Sequence, residues 1–306
     1  VASVLNRYWS LMLALIFGAI VVIAMSGNES GLTLPDLAFM TDSAAGSSLA
    51  FILLFFGLAV RLPMFPFHGW LPVMVSHGNP VAAFCFLAGV KTGIVGMYRF
   101  ALPLMSEINA GWTGFIELLA LFSIFYGALL ALMQINLYRL LAFAVISHTG
   151  ILVIGLVTRN AFSLEGSMLS STAFGLAAIG LILSTAIIQR KTGTAFIPRL
   201  GNLLENNTFP ALLFLLAALS TMAMPGTPGY NAVHLLLEGV IEASGWGIAI
   251  AILIGNVLAA AFLLRAFQQI FIADSRQQYA DRAKKILPIK SEVLVSSCIC
   301  LLLLLT

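Results

Sequence analysis

The chain has 306 residues, of which 9% are charged and 60% are hydrophobic, and its mean hydropathy is +1.04. A soluble domain carries about 25% charged residues, so this composition excludes a soluble globular protein and predicts a polytopic membrane protein. The net charge of +3 is small, and no Lys/Arg-rich run is interleaved with aromatic residues, which argues against nucleic acid as a partner.

Apolar segments long enough to cross a bilayer follow one another along the whole chain. A hydrocarbon core of about 30 Å needs about 20 apolar residues per helix, and backbone groups in lipid must be satisfied within the helix. The sequence therefore predicts an all-α transmembrane bundle of about nine spans. In chain order these spans are 9–26, 47–66, 81–101, 113–134, 140–157, 167–189, 208–225 with a broken continuation to about 244, 246–272 and 291–306.

The distribution of basic residues predicts the orientation of the bundle. The segments 190–206 and 273–290 are rich in Lys and Arg and fall on the same side, whereas 27–46 contains only acidic charges. Lys and Arg collect in cytoplasmic loops. The N-terminus and both basic segments are therefore expected on the cytoplasmic side or its equivalent.

Two proline-containing segments have the same build. Residues 56–70 (FGLAVRLPMFPFHGW) and 219–233 (LSTMAMPGTPGYNAV) each show an apolar run, a proline, a second proline three residues later and then an aromatic residue. This pattern predicts a duplicated unit whose middle helix is broken, and transporters built from repeats place ion sites at such breaks. Ordinary proline kinks without function are the alternative.

Ionisable side chains inside predicted spans are the candidate functional residues, because such groups are costly in lipid and usually line a water path. They are Arg61, Lys91, Glu117, His148, His234, Glu238 and Glu242. The last three lie at i, i+4 and i+8, on one helix face. Because histidine and a desolvated lysine can both exchange protons, the set predicts a proton or cation relay. A core histidine without function is the alternative for His148, and an interfacial carboxylate is the favoured interpretation of Glu242.

Several motifs resemble those of a known family. RLPMFPFHGWLP, NPVAAFCFLAGVKTGIVGMYRFALP, IFYGALLALMQINLYRLLAFAVISHTG and AMPGTPGY resemble the antiporter-like proton-translocating subunits of respiratory complex I, the M-type (mitochondrial subunit four) most of all. Mrp antiporters and the membrane arms of hydrogenases are relatives of that family. The resemblance covers approximately residues 1–300. It implies two repeats with one broken helix each, a midplane chain of ionisable residues, and no redox cofactor or metal in this chain.

The resemblance assigns roles to individual residues. Lys91 matches the family's central lysine after the first break, and His148 matches the histidine of its SH-x-G motif. Together with Arg61, His234 and Glu238 they form the expected proton relay.

The chain also departs from the family pattern. Arg61 stands in place of a lysine, Phe174 in place of a second histidine, and His234, with Glu238 one turn away, in place of the glutamate of the second broken helix. An arginine does not deprotonate in a protein, so Arg61 is expected to act as a fixed positive charge.

The resemblance also implies a division of the chain. Residues 1–112 correspond to a remnant of a first repeat, with a broken helix at about 47–75 and the lysine helix at 81–101. Residues 113–272 correspond to a second repeat, broken at about 208–244, and 273–306 form a basic loop and a last helix. The first five helices of the family pattern are missing. Lipid and other membrane-arm subunits, including a chain that supplies those helices, are therefore the expected partners.

The predicted function is that of a proton- or cation-translocating membrane-arm subunit of a complex I-like NADH/quinone oxidoreductase. Such a subunit would lie in the bacterial or mitochondrial inner membrane and would have no redox active site of its own. A sodium/proton antiporter or ion-coupled inorganic-carbon uptake subunit is one alternative. A degenerate scaffold subunit that does not pump is the other, and Arg61 and Phe174 make it plausible.

Overall fold

The computed structural model describes residues 2–26, 44–77, 92–107, 110–204, 207–273 and 290–305. Within these ranges the regular structure is helical and no β-strand forms, the only bridge being an isolated pair between Asn136 and Phe196. The predicted all-α fold is confirmed.

The helices follow the chain as α1 to α10. Their bounds are α1 Ala2–Ser26, α2 Ala44–Arg61, α3 Trp70–His77, α4 Ala110–Leu132, α5 Leu137–Val157, α6 Ala161–Thr192, α7 Thr208–Thr221, α8 Pro228–Ser244, α9 Trp246–Phe267 and α10 Lys290–Leu305. Residues 92–107 are also helical and change from α-helix through the π-helix Met97–Ala101 to the 3₁₀ helix Leu102–Glu107. A second π-helical stretch, Gln268–Ile272, extends α9.

Several of these helices are long and apolar enough to cross a membrane. Within the described ranges they are Ala2–Met25, Trp112–Leu132, Leu137–Val157, Ala161–Thr192 and Trp246–Ile272. Shorter apolar helices cover Ser48–Arg61, Thr208–Thr221 and Val293–Leu303. Since about 20 apolar residues span a hydrocarbon core, this set is that of a polytopic membrane protein.

The core is centred on α5, in which every residue other than Arg139 is buried. It packs between α4 and α6 and also contacts α3, α8 and α9. Glycine permits the closest approach, because a Cβ on Gly150 would collide with the Ala120 carbonyl oxygen of α4. Small residues at helix interfaces allow backbones to approach in this way.

Both predicted helix breaks are present, and the first begins earlier than expected. The apolar pattern predicted a span to residue 66, but α2 ends at Arg61, because Pro63 disfavours helix at the residue before it and has no N–H to donate. The second break separates α7 from α8, in which Pro228 occupies the first helical position, where its missing N–H is no loss.

The span predicted to end at residue 189 continues three residues into the basic segment 190–206. Helix α6 continues to Thr192 and ends at Gly193, whose φ of 81° is left-handed and suits glycine. Lys191 is consequently in the last helical turn and is only 3% exposed. Basic residues in a last turn are favoured by the negative end of the helix dipole.

Candidate functional site

The first helix break is attached to the core by hydroxyl groups. The Thr149 hydroxyl of α5 donates to the Pro63 carbonyl oxygen at 3.4 Å. The Phe65 backbone N–H donates to the Ser123 hydroxyl of α4 at 3.3 Å, and that hydroxyl donates to the Ile146 carbonyl at 3.0 Å. These contacts take the place of helix hydrogen bonds that the break removes, so the break is held in one position against α4 and α5.

Arg61 lies at the end of α2, at the edge of this break. Its Nε donates to the Thr92 hydroxyl at 3.1 Å, and its guanidinium lies 5.2 Å from the centroid of the Trp9 ring. Its Nη1 is buried and has no hydrogen-bond partner among the described residues. Lys91, the predicted central lysine, lies outside the described residues, directly before Thr92. Arg61 thus places a fixed positive charge next to the segment that begins at Thr92.

His68 is a buried histidine inside the break, to which sequence reasoning gave no role. Its ring stacks on Phe65 at 5.8 Å and meets the Tyr126 ring edge-on at 5.0 Å. Within the described part of the chain its Nδ1 has no hydrogen-bond partner. The sequence did offer a signal, namely a titratable residue that follows Pro63 and Pro66 and precedes Trp70.

His148 lies in the middle of α5 and is 5% exposed. Its ring stacks on Phe174 of α6, with centroids 3.9 Å apart and an interplanar angle of 18°. The residue after it, Thr149, makes the hydrogen bond to the first break. The residue before it, Ser147, donates to the Ile124 carbonyl of α4 at 2.9 Å. The histidine is therefore fixed between the first break on one side and α6 on the other.

The second break lies level with the middle of α6. A Cβ on Gly180 would lie 3.1 Å from Ala217 of α7, whereas one on Gly166 would collide with the Leu236 backbone of α8. The interruption 222–227 therefore faces the part of α6 between these glycines, which includes Phe174. His148 and Phe174 thus lie between the first break and the second.

His234 and Glu238 lie on the exposed face of α8, in contrast to the buried His148. The ring of His234 stacks on Tyr230 at 5.8 Å, whereas the opposite face of α8 packs on α6. One turn beyond Glu238, the Glu242 carboxylate accepts a hydrogen bond from Asn160 at 3.0 Å. The structure thus places His234 and Glu238 on the exposed side of α8, whereas Glu242 reaches the residue that caps α6.

Sequence reasoning also missed the hydroxyl groups that hold the first break. The side chains of Ser123, Ser147 and Thr149 are all buried. The hydroxyls of Ser123 and Thr149 bond backbone groups of the first break, and the hydroxyl of Ser147 bonds a backbone carbonyl of α4. A hydroxyl residue on each side of a histidine in a span was the available signal. Within the described residues no group of three or more His, Cys, Asp or Glu side chains is arranged to hold a metal ion.

Long apolar helices packed around a buried α5, with two interrupted helices among them, define a polytopic helical membrane protein. The chain belongs to the NADH:quinone oxidoreductase/Mrp antiporter transmembrane family, whose model matches residues 4–259. The resemblance inferred from the motifs is confirmed, and with it the location in a membrane.

The curated relatives that match this chain include subunits of NADH-quinone oxidoreductases. NADH-quinone oxidoreductase subunit 13 of Thermus thermophilus is 32% identical over 263 residues, which cover 85% of this chain and 55% of the relative. NADH-quinone oxidoreductase subunit M of Escherichia coli K12 is 26% identical over 275 residues, which cover 88% of this chain and 54% of the relative. This chain spans about half the length of the curated relatives it matches.

Solved structures share the fold. A chain of respiratory complex I from Thermus thermophilus with bound NADH superposes with a TM-score of 0.89 at 25% identity, covering 99% of this chain and 64% of that one. A chain of the Mrp complex from Dietzia gives a TM-score of 0.77 at 18% identity, covering 96% of this chain and 57% of that one. The likeness to the Mrp chain is one of fold alone.

Proposed function

We propose that this protein is a proton- or cation-translocating membrane-arm subunit of a complex I-like NADH/quinone oxidoreductase. The observation that carries the proposal is the position of His148, which is buried between two interrupted helices. The names of the relatives, NADH-quinone oxidoreductase subunits, supply the type of complex.

In the proposed relay His148 takes up and releases the proton. An imidazole ring can both accept and donate a proton, so one side chain can serve both steps. Lys91 is the second exchangeable group, and His234 with Glu238 continues the path on the outward face of α8. Arg61 keeps its proton and acts as a fixed charge at the first break. The energy comes from redox chemistry, which we assign to other subunits.

We infer that other membrane-arm subunits cover part of this chain, including the outer face of α1. Helix α1 exposes large apolar side chains, including Phe17 at 67% and Met25 at 83%. The solved chains that share this fold belong to multisubunit complexes, which favours a protein partner on this face.

Two other functions stay open. The matching family includes Mrp antiporters, which favours a cation/proton antiporter as the second candidate. The stacking of the apolar Phe174 on His148, where the family pattern has a histidine, favours a scaffold subunit that does not pump.

The test is redox-driven proton uptake by the intact complex in liposomes. In the variants Lys91→Ala and His148→Gln the ratio of protons translocated to electrons transferred is expected to fall while the complex assembles normally, because each change removes a proton-exchanging group. His77→Gln is the matched control, since His77 is an exposed histidine at the end of α3. A wild-type ratio in both relay variants would contradict the proposed function and favour the scaffold.

A further inference from the structure

The contact between His148 and Phe174 closes one side of the histidine. Phe174 is 6% exposed, and the two rings stack almost in parallel with their centroids 3.9 Å apart. Ring atoms at that separation are in van der Waals contact. No water molecule fits between them, so the face of His148 towards α6 is dry.

Two buried hydroxyl groups without partners in the described part of the chain belong to α6 and α7, the helices that meet at the second break. Ser170 is one helical turn before Phe174, on the same face of α6, and is 1% exposed. Ser220 is in the last turn of α7, next to the second break. Among the described residues neither hydroxyl has a hydrogen-bond partner. Buried polar groups of this kind are usually satisfied by ordered water. In the proposed relay these two hydroxyls are where water would be held on the side of the second break.

We propose that Phe174 is an apolar seal between His148 and the second helix break. The inference rests on the proposed proton relay. A phenyl ring can neither donate nor accept a proton, and dry constrictions stop ions by excluding water. A proton on the imidazolium of His148 passes to water near Ser170 and Ser220, leaving neutral imidazole and hydronium, only when the Phe174 ring turns aside. Phe174 acts through His148 and is a positioning residue.

The seal is tested by passive proton flux. The intact complex is reconstituted in liposomes that contain a pH-sensitive dye, without NADH or quinone, and the external pH is stepped. Phe174→Ala is expected to raise the flux by about tenfold or more, equivalent to a barrier lower by about 1.4 kcal/mol, because the vacated volume admits water. Phe174→Leu, which stays bulky and apolar, is expected to keep the wild-type flux.

Phe214→Ala is the matched control for the volume removed. Phe214 is a fully buried phenylalanine of α7 that contacts Phe267 and Phe271 instead of His148. Its truncation is expected to leave the flux unchanged. Equal leaks in Phe174→Ala and Phe214→Ala would overturn the seal, as would a wild-type flux in assembled Phe174→Ala. If Phe174→Ala does not assemble, Phe174→Thr is measured instead and must leak.

A double variant separates the seal from the relay on which it rests. In Phe174→Ala with His148→Gln the leak is expected to return to the wild-type level, since the path runs through His148. A leak that persists in the double variant overturns the seal. If His148→Gln abolishes redox-driven translocation but Phe174→Ala does not leak, the seal alone is wrong. If His148→Gln and Lys91→Ala both pump normally, the proposed function itself is wrong.

Discussion

Individual hydroxyl groups determine how the first helix break is held. The Thr149 hydroxyl lies 3.4 Å from the Pro63 carbonyl oxygen and 2.7 Å from the Ile146 carbonyl oxygen, so it is shared between the break and its own helix. Pro63 is buried, and the bond joins residues 86 positions apart. A break that would otherwise leave a bare carbonyl in an apolar core is satisfied by one side chain.

Replacing Thr149 by valine keeps the shape of the side chain and removes the hydroxyl. We expect the complex to lose about 1–3 kcal/mol of stability at this subunit, because the Pro63 carbonyl is left buried and unsatisfied. The measurement is thermal unfolding of the purified complex. Thr185→Val is the control: Thr185 is equally buried, but its hydroxyl bonds only the Leu181 carbonyl of its own helix. Equal losses in the two variants would contradict the role given to Thr149.

At this scale the sequence indicated the titratable residues but not their neighbours. A charge or histidine inside an apolar run is visible by inspection, and His148 is indeed buried. The partner of Thr149 depends on how three helices pack, which no local pattern reports. Lys191 shows the same limit, since the apolar pattern ended the span at residue 189 whereas the helix continues to Thr192.

At the scale of elements, the second break contains two residues with a left-handed backbone, Ala223 with a φ of 55° and Gly226. Gly226 has a φ of 86°, in the left-handed region, and a Cβ added there would meet no atom within 4 Å. Any effect of a side chain at this position is therefore an effect on the backbone and not on packing. Pro225 before it and Pro228 after it restrict the chain on either side.

Gly226→Ala is expected to destabilise the protein by about 1–2 kcal/mol, because L-residues are strained at this φ. Thermal unfolding of the assembled complex is again the measurement. Gly114→Ala is the counterpart in α4, where the added Cβ also meets nothing within 4 Å but the backbone is helical. That variant should be neutral or slightly more stable, since alanine favours helix by about 1 kcal/mol over glycine. The explanation fails if the two variants behave alike.

The paired breaks were predictable because the effects of proline are local. The ends of helices were less predictable. The apolar pattern predicted spans at 140–157 and 167–189, whereas the helices extend over Leu137–Val157 and Ala161–Thr192. Asn136 and Asn160 cap the two N-termini with their side chains, and polar helical turns follow that an apolar window does not count. The outward orientation of His234 and Glu238 is likewise set by the packing of the opposite face of α8 on α6.

For the whole molecule, burial differs sharply between the centre and the periphery. Helix α5 is enclosed on every side, whereas α1 packs mainly on α2 and exposes most of its length. Composition alone predicted the membrane and the all-α class, since a chain with 9% charged residues cannot cover itself with a polar surface. It could not show which apolar surface faces lipid and which faces protein, because both are equally apolar.

The outer surface of α1 is expected to contact a membrane subunit in the assembled complex. Phe17 on α1 and Val257 on α9 are both 67% exposed, so they differ in surroundings and not in accessibility. Below α1 lies Arg61, whose guanidinium contacts Trp9 of that helix and would be costly close to lipid. Around Val257 the exposed side chains Ile250, Leu253 and Ile254 are all apolar, which suits lipid.

A photoreactive phenylalanine analogue at position 17, activated in the native membrane, is therefore expected to give a product larger by the mass of a protein subunit. The same analogue at position 257 is expected to give lipid adducts, detected by mass spectrometry of the purified chain. Because both positions are equally exposed, a difference between them reports the neighbour and not the efficiency of labelling. If position 17 yields only lipid adducts, α1 faces the bilayer and the expected subunit contact is wrong.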